Sequence, residues 1–286
     1  MKTGIFSDVH GNLEALEAVL GLLREEGATR FVCCGDIVGY GPDPNRCVEI
    51  VRGLHCTCVA GNHDFGAVGK TSLANFNSSA ARAVRWTTEQ LTECNRLYLE
   101  NLALVEEEII PGIQESRIPA PERGEDSRTR GFQGSSVRTL ESLDPGPLDS
   151  FSSNLLVVHS SPSEPDAWEY IFTLGEAESE MAHYPGGICV VGHSHYPFAV
   201  EQMPCGPARL LKQETAEIRD GAKYFINAGS VGQPRDGNPR ACGIVLDTDR
   251  GTITFHRIAY DVSAVQRKIR AAGLPAFLAD RLDIGR

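Results

Sequence analysis

The sequence predicts an α/β protein with two β-sheets, each covered by helices. Short apolar segments recur along the chain and end in polar clusters, which is typical of buried strands. A segment with helical spacing separates the first two of them, so the chain opens in β-α-β order with parallel pairing. The 286 residues, 41% of them hydrophobic, suffice for one large core, and we expect a single domain over 1–286.

The first half of the chain predicts strands over 3–6, 31–34 and 56–60. A helix between the first two ends at Gly27. Residues 72–104 carry Ala, Leu and Trp at mixed helical spacing, which predicts one long helix or two consecutive ones. The apolar positions of the first helix are Leu13, Leu16, Val19, Leu20 and Leu23.

The composition changes after this helical region. Residues 111–154 are rich in Pro, Gly, Ser, Glu and Arg, which predicts a polar loop inserted into the domain. Helical periodicity returns in 261–286. Between these two segments the chain predicts five further strands: 155–158, 188–191, 224–227, 243–247 and 252–256.

The charge balance limits the partners that this protein can bind. With 38 acidic and 27 basic residues, its net charge of −11 repels nucleic acid and anionic membrane surfaces. Any phosphate-containing substrate must therefore be captured by a local positive charge, and we expect neither long nucleic acid nor a membrane as a partner. Nine cysteines without a C-x-x-C pair predict free thiols, and the absence of a signal-peptide pattern predicts a cytoplasmic protein. Nothing in the sequence decides between a monomer and a homo-oligomer.

Carboxylate, amide and imidazole side chains follow the ends of the predicted strands. Asp8 and His10 end the first strand, where residues two apart point to the same side. Ligands bind at this carboxyl edge in open α/β sheets, so a joint metal site explains the repeated placement better than separate structural residues do. The seven candidate ligands are Asp8, His10, Asp36, Asn62, His159, His193 and His195.

The types of these side chains indicate the metal. Carboxylate and amide oxygens mixed with imidazoles, without thiolate, suit Mn, Fe, Ni, Co or Zn as divalent ions and not an iron–sulfur cluster. Seven groups exceed what one ion takes, whereas two ions sharing a carboxylate would use them all. The sequence therefore predicts a binuclear centre with residual positive charge, which attracts phosphate oxygens and acidifies a bridging water.

With these motifs, the sequence resembles the calcineurin-like metallophosphoesterases, in particular the compact bacterial and archaeal phosphodiesterase branch related to the retromer subunit of the same fold. The resemblance covers nearly the whole chain except 111–154, and it implies a four-layer α-β-β-α sandwich of two mixed sheets. The motifs that carry it are Asp8-Val9-His10, the segment from Gly35-Asp36 to Gly41-Pro42, Gly61-Asn62-His63-Asp64, His159, Gly192-His193-Ser194-His195 and the segment from Asn227 to Asp236.

The resemblance also implies a role for each matching residue. His63 is the general acid that protonates the departing oxygen, and Asp64 holds its imidazole. The implied reaction is in-line attack on phosphorus by a metal-bridging hydroxide, with Mn as the first choice of metal. The implied ligand sets are Asp8, His10 and His195 for one ion, Asn62, His159 and His193 for the other, and Asp36 as the bridge.

The substrate signal lies beside the bridging aspartate. Protein phosphatases of the wider superfamily carry an Asp-Arg pair there, whose arginine grips a phosphomonoester dianion, whereas Gly39-Tyr40 stands here. This difference favours a phosphodiester, which carries one charge fewer. Asn12, Tyr40 and Arg235 are the candidate substrate contacts, each with loop stabilisation as its alternative role.

We therefore predict a binuclear phosphodiesterase for small nucleotide-like diesters. The alternatives within enzymes are a phosphomonoesterase and a dinucleoside polyphosphate hydrolase. An alternative of another class is an inactive scaffold that binds a protein. The complete ligand set and His63 argue against the scaffold, because a buried cluster of unpaired carboxylates and imidazoles is costly without a metal.

Overall fold

A computed structural model describes residues 1–110 and 154–286. Two mixed sheets of six strands pack face to face, and helices cover both outer faces, as predicted. The strands are β1 Lys2–Phe6, β2 Arg30–Cys33, β3 Thr57–Cys58, β4 Val105–Ile109, β5 Asn154–Val158, β6 Ile188–Val191, β7 Phe198–Gln202, β8 Ala208–Leu211, β9 Thr215–Glu217, β10 Lys223–Asn227, β11 Ala241–Asp247 and β12 Thr252–Ile258. The helices are α1 Leu13–Glu25, α2 Pro44–Gly53, α3 Asn62–Ala67, α4 Ser78–Gln90, α5 Glu93–Glu100, α6 Leu174–Glu180, α7 Val262–Ala271 and α8 Ala276–Asp280.

Each sheet contains a run of parallel strands. The first sheet has the order β3-β2-β1-β11-β12-β9, in which β1 runs parallel to β2 and antiparallel to β11. The second has the order β4-β5-β6-β10-β7-β8, in which β5, β6 and β10 are parallel. The carboxyl ends of β1, β2, β5 and β6 therefore carry loops that can meet at one edge of the sandwich.

Apolar side chains from both sheets form the central core. Ile5 and Ile244 from the first sheet and Ile188 and Ile226 from the second belong to one buried cluster. On the outer face of the first sheet, α1 buries residues at three- and four-residue spacing, as the periodicity predicted. The second sheet is covered by α6 and the turn that follows it.

The structure differs from the predicted elements at sheet edges and helix ends. The predicted long helix is two helices, because Leu91 leaves the helical conformation and Thr92 caps α5. The predicted strand 56–60 pairs with β2 only over Thr57–Cys58, and Val59 forms an isolated bridge with Ala103. Four strands were not predicted, namely β4, β7, β8 and β9, of which β4, β8 and β9 are edge strands with exposed residues that break the apolar pattern.

The nine cysteines all lie in the described residues and are unpaired, and six of them are buried, as predicted. Within residues 1–110 and 154–286, no helix combines the length and the apolar character that crossing a membrane requires.

The predicted insertion falls on 111–153, which lie outside the described residues, so it stays a prediction. Its flanks do belong to the structure, and Ile109 pairs with Asn154 across the antiparallel strands β4 and β5. The two ends of the segment are therefore neighbours, at a distance that a short connection spans.

Deletion of residues 114–150 is consequently expected to preserve the fold. A shorter loop between β4 and β5 lowers the entropy cost of closing it, which is worth about 1–2 kcal/mol in favour of the folded state. Thermal unfolding of the deleted and full-length proteins measures this difference. Loss of the cooperative transition would show that the segment contributes to the core.

Candidate metal centre

All seven predicted ligands are buried side by side on loops that follow the strands. Asp8 and His10 follow β1, Asp36 follows β2, and the remaining ligands lie at the start of α3 and after β5 and β6. Six of the seven fall into groups whose ligand atoms lie within 4.8 Å of one another, and Asn62 directly precedes His63 in α3. The three groups are Asp8, His10 and His195; His10, Asp36 and His63; and Asp36, His159 and His193.

The predicted reason for the closeness of Asp8 and His10 is wrong. Strand β1 ends at Phe6, and both residues lie in the following loop with φ values of 54° and 50°. Their side chains meet because the loop turns through the left-handed region, not because strand side chains alternate. Five of the seven candidate ligands have positive φ, which few residues other than glycine adopt. Such strain is concentrated at functional sites, because surrounding contacts must compensate for it.

Backbone hydrogen bonds hold the loops after β1 and β2 against each other. The N–H of Asp8 donates to Gly35 O at 3.0 Å, and the N–H of His10 donates to Asp36 O at 2.9 Å. The N–H of Gly11 continues the ladder to Ile37 O at 2.8 Å. This pairing beyond the strand ends fixes the two aspartates relative to each other.

A backbone carbonyl orients each of two imidazoles at one end of the centre. His10 Nδ1 lies 3.1 Å from Val38 O, and His195 Nδ1 lies 2.5 Å from Gln233 O. A carbonyl oxygen can only accept a hydrogen bond, so Nδ1 carries the proton in both rings. Nε2 of the neutral ring then has a free lone pair. The two Nε2 atoms are 3.0 Å apart and face each other. Lone pairs so placed repel unless a proton or a cation lies between them.

The same arrangement recurs at the other end of the centre. His159 Nδ1 lies 2.7 Å from Cys34 O, and His193 Nε2 lies 2.9 Å from Trp168 O. The remaining nitrogens, His159 Nε2 and His193 Nδ1, face each other at 3.1 Å. Carbonyls that fix the outer nitrogen while the inner one points at a shared position are typical of metal-binding histidines.

Asp36 lies between the two pairs of imidazoles. Its Oδ1 accepts a hydrogen bond from the N–H of His63 at 2.8 Å. Its Oδ2 is 3.6 Å from His10 Nε2 and 3.4 Å from His159 Nε2. One carboxylate oxygen thus reaches both ends of the centre.

The charges and unpaired atoms of the site fit a cation. Burial alone would raise the pKa of Asp8 and Asp36, but the nearby imidazoles, chiefly His195 and His159 respectively, hold both below the usual value. Burial lowers the pKa of His193 and His195 to about 3. Both rings are therefore neutral, and each has a nitrogen lone pair that can bind a cation. Within the described residues, the buried oxygens Asp8 Oδ1 and Asn62 Oδ1 have no hydrogen-bond partner, and a bound cation would supply one.

Comparison with known proteins shows the family of this chain. Residues 1–251 match the calcineurin-like phosphoesterase superfamily domain. The chain belongs to the calcineurin-like phosphoesterase superfamily. It is 35% identical over 282 residues to an uncharacterized protein of Methanocaldococcus jannaschii, covering 99% of this chain and 97% of that protein.

Two solved structures share the whole fold of this phosphoesterase. A metallophosphoesterase from Sphaerobacter thermophilus is 34% identical, with a TM-score of 0.73 over 100% of this chain and 99% of that one. A hypothetical protein from Pyrococcus horikoshii OT3 is 17% identical, with a TM-score of 0.71 over 100% and 98% of the two chains. The second likeness concerns the fold alone. The family depends on divalent metals, in agreement with the grouped ligand atoms described above.

His63 lies beside the candidate metal ligands, but its predicted contact with Asp64 is absent from the structure. Asp64 accepts hydrogen bonds from the backbone N–H of Val38 and of Gly61, each at 3.1 Å, and so holds two ligand loops together. Burial, and to a lesser extent the negative charge of Asp36, raise the pKa of Asp64 to about 7. Nδ1 of His63 has no partner among the described residues. The ring is held by packing instead, 4.4 Å from the Tyr40 ring and 5.0 Å from the Phe76 ring between centroids.

The candidate substrate contact Asn12 has a structural role. Its Oδ1 accepts from the N–H of Ala15 at 3.1 Å and caps α1, and its Nδ2 donates to Gly232 O at 2.9 Å. Both ends of the amide are thus engaged, and the residue is 2% exposed. These bonds give Asn12 the loop-stabilising role that was its alternative, and a contact with the substrate stays a prediction.

Tyr40 and Arg235 do lie at the centre. The Tyr40 ring is 4.5 Å from the His10 ring between centroids, and its hydroxyl is 3.2 Å from Arg235 Nη2. The guanidinium of Arg235 also donates to Gln233 Oε1 at 3.0 Å. Within residues 1–110 and 154–286 it pairs with no carboxylate, so its charge is available to an anion.

Sequence reasoning missed the residues that support the histidines. Trp168, with a φ of 57°, supplies the carbonyl that orients His193, and Tyr170 stacks on the His193 ring at 4.1 Å. Gln233 supplies the carbonyl for His195. Backbone carbonyls have no sequence signature, but the alternating aromatics Trp168, Tyr170 and Phe172 are a signal that could have been used.

The substitution Gly39→Ala is expected to disturb the centre without unfolding the protein. Gly39 has a φ of +139°, and an added Cβ would lie 2.5 Å from His63 Nδ1 and 2.8 Å from His10 Nδ1. We expect metal affinity to fall about 10- to 100-fold, as for other disrupted supports of ligands. Metal titration measures this, with Gly21→Ala in α1 as the control, since nothing lies within 4 Å of its added Cβ. Unchanged metal affinity in the Gly39 variant would contradict the description of the centre.

Proposed function

We propose that this phosphoesterase holds two divalent ions, Mn²⁺ first among them, and hydrolyses phosphodiesters. The observation that carries the proposal is the pair of facing imidazole nitrogens at each end of the centre, with Asp36 Oδ2 within reach of both. Two separate cation positions that share one carboxylate account for this arrangement. The proposed ligands are Asp8, His10 and His195 for one ion, Asn62, His159 and His193 for the other, and Asp36 for both.

When bound, the ions would supply Lewis acidity and an acidified water as nucleophile. The carbonyls of Val38, Cys34 and Gln233 hold His10, His159 and His195 in the tautomer with the proton on Nδ1. The unprotonated Nε2 of each ring then faces the centre and can bind a cation. Two aspartates do not neutralise two divalent ions, so the centre attracts the anionic phosphate in an otherwise acidic protein.

His63 is the proposed proton donor to the departing oxygen. Its ring lies within 4.8 Å of the His10 ring between centroids, at the wall of a cavity that opens beside the centre. Burial lowers the pKa of His63 well below its usual value, although Asp36 opposes the shift. The anionic phosphate would stabilise the protonated ring in the same way as Asp36, so proton donation depends on bound substrate.

The preference for a diester rests on Tyr40. A neutral phenol occupies the position next to His10 and His63, where a cation would favour a dianionic phosphomonoester. Arg235 favours a phosphomonoesterase as the second candidate, because its guanidinium reaches Tyr40 with no carboxylate partner in the described chain. The two candidate activities differ in the charge of the preferred substrate, because a phosphodiester carries one negative charge fewer than a phosphomonoester dianion.

The test compares hydrolysis of bis-p-nitrophenyl phosphate and p-nitrophenyl phosphate by Mn²⁺-reconstituted protein. We expect higher kcat/KM for the diester. Arg235→Gln should lower monoester turnover more than diester turnover, while Arg267→Gln on the exposed face of α7 should change neither. Monoester turnover equal to or above diester turnover would reject the diester preference.

A further inference from the structure

A cavity of about 340 Å³ adjoins the candidate metal centre on the side of His63 and His193. Its volume lies at the lower end of the range for small-molecule sites. Asn62, His63 and His193 form the wall towards the metal ligands. The opposite parts of its lining come from the segment 71–77 and from the loop that carries Trp168. A group attached to a phosphate at the centre would therefore extend into this cavity.

The lining has no formal charge apart from the two histidines. It contains no Asp, Glu, Lys or Arg among the described residues, although the protein as a whole is strongly acidic. A second phosphate or an ammonium group would lose its hydration there without gaining a counter-ion. The cavity thus favours an uncharged organic group.

Two aromatic rings that line the cavity have no parallel partner. Among the described rings, Trp168 makes only edge-to-face contacts, with interplanar angles of 90° to Phe65 and 65° to His159. Phe76 contacts the His63 ring at 65°. By contrast, Tyr170 is already stacked between His193 and Phe172. The faces of Trp168 and Phe76 are where a planar group could stack.

Polar side chains beside these rings also lack partners. Asn75 is exposed and Thr71 is half-buried, and within residues 1–110 and 154–286 neither the Asn75 amide nor the Thr71 hydroxyl makes a hydrogen bond. Asn77 differs because it caps α4 through the N–H of Ala80. The cavity therefore offers a donor and an acceptor to the edge of a planar ring, as nucleobase recognition requires.

We propose that this cavity binds the nucleoside part of a nucleotide substrate, with the base stacked on Trp168 or Phe76 and its edge near Asn75 and Thr71. The proposal rests on the proposed function, since the phosphate of that nucleotide would lie at the metal centre. It narrows the substrate class from phosphodiesters in general to esters that carry a nucleobase.

The test measures binding to Mn²⁺-reconstituted protein by calorimetry, with adenosine 5′-monophosphate and ribose 5-phosphate as probes. Both carry the same phosphate and sugar, so the ratio of their Kd values isolates the base. Stacking of one base on an aromatic ring predicts a ratio of about tenfold in favour of the nucleotide. Equal Kd values would overturn the proposal.

Variants locate the binding of the base. Trp168→Ala should lower the ratio several-fold, and Trp168→Phe should retain most of it, because a ring remains. Asn75→Ala, at an exposed position, should lower it about threefold through one lost hydrogen bond. Gln213→Ala is the matched control, because it removes an exposed amide from a different cavity, of about 260 Å³. A ratio unchanged in both Trp168→Ala and Asn75→Ala would also overturn the proposal.

This design separates failure of the cavity proposal from failure of the proposed function. Turnover of phosphodiesters together with equal Kd values would reject the nucleoside cavity and leave the phosphodiesterase intact. Preferential binding of the nucleotide without hydrolysis of any phosphodiester would support the cavity and reject the proposed function.

Discussion

The substitution Asp36→Asn is expected to lower turnover by more than about 100-fold and to reduce the metal content of the protein. Loss of a group that merely orients a ligand costs roughly 10- to 100-fold, and Asp36 is the carboxylate nearest to both pairs of imidazoles. Asparagine has the same shape, and its oxygen can still accept from the N–H of His63. The amide nitrogen would then face the imidazole nitrogens with donors where a cation needs an acceptor.

Metal analysis, turnover and thermal unfolding of one sample distinguish this effect from misfolding. We expect the metal-free variant to keep a cooperative unfolding transition, because asparagine matches the shape of Asp36 and keeps the hydrogen bond from the N–H of His63. Asp247→Asn is the matched control, because this buried carboxylate lies at the opposite end of the strand pair β1–β11 and contacts Lys2. Retention of both activity and two ions in Asp36→Asn would refute the bridging role.

The substitution His63→Ala should leave the metal content intact and slow the reaction by about 10² to 10⁴-fold for an ester with an alkoxide leaving group. The effect should be much smaller for a nitrophenyl ester, whose leaving group needs no proton. This difference is specific to a proton donor, because loss of packing against Tyr40 and Phe76 would slow both substrates alike.

Metal analysis of the same variant tests the competing role of His63. Its ring nitrogen lies in one of the ligand-atom groups, together with His10 and Asp36. Loss of an ion in His63→Ala would therefore identify the residue as a ligand. His183→Ala, at an exposed position after α6, is the control that should change neither metal content nor rate.

The sequence predicted that the candidate ligands come together, because most of them follow strand ends. Buried strands such as β1, β2 and β6 have strong apolar patterns, and the polar residue after each is easy to recognise. Parallel pairing then brings these positions to one edge. The local conformation was beyond such reasoning, because Asp8 and His10 face each other through left-handed backbone.

Interactions made by the backbone and by edge strands could not be predicted. The roles of Asp64 and Asn12 depend on N–H groups of Val38 and Ala15, which have no side-chain signature. Edge strand β4, with the sequence VEEEI, pairs with β5 although its residues are largely exposed. Its hydrogen bonds stabilise it without the apolar alternation on which sequence patterns depend.

The central claim is that two ions in this donor cluster are required for phosphoester hydrolysis. The most direct test titrates metal-stripped protein with Mn²⁺ and measures bis-p-nitrophenyl phosphate hydrolysis and bound metal on the same samples. We expect no turnover without metal and a plateau of activity at about two ions per chain. Full activity in metal-free protein, or maximal activity at one ion per chain, would contradict it.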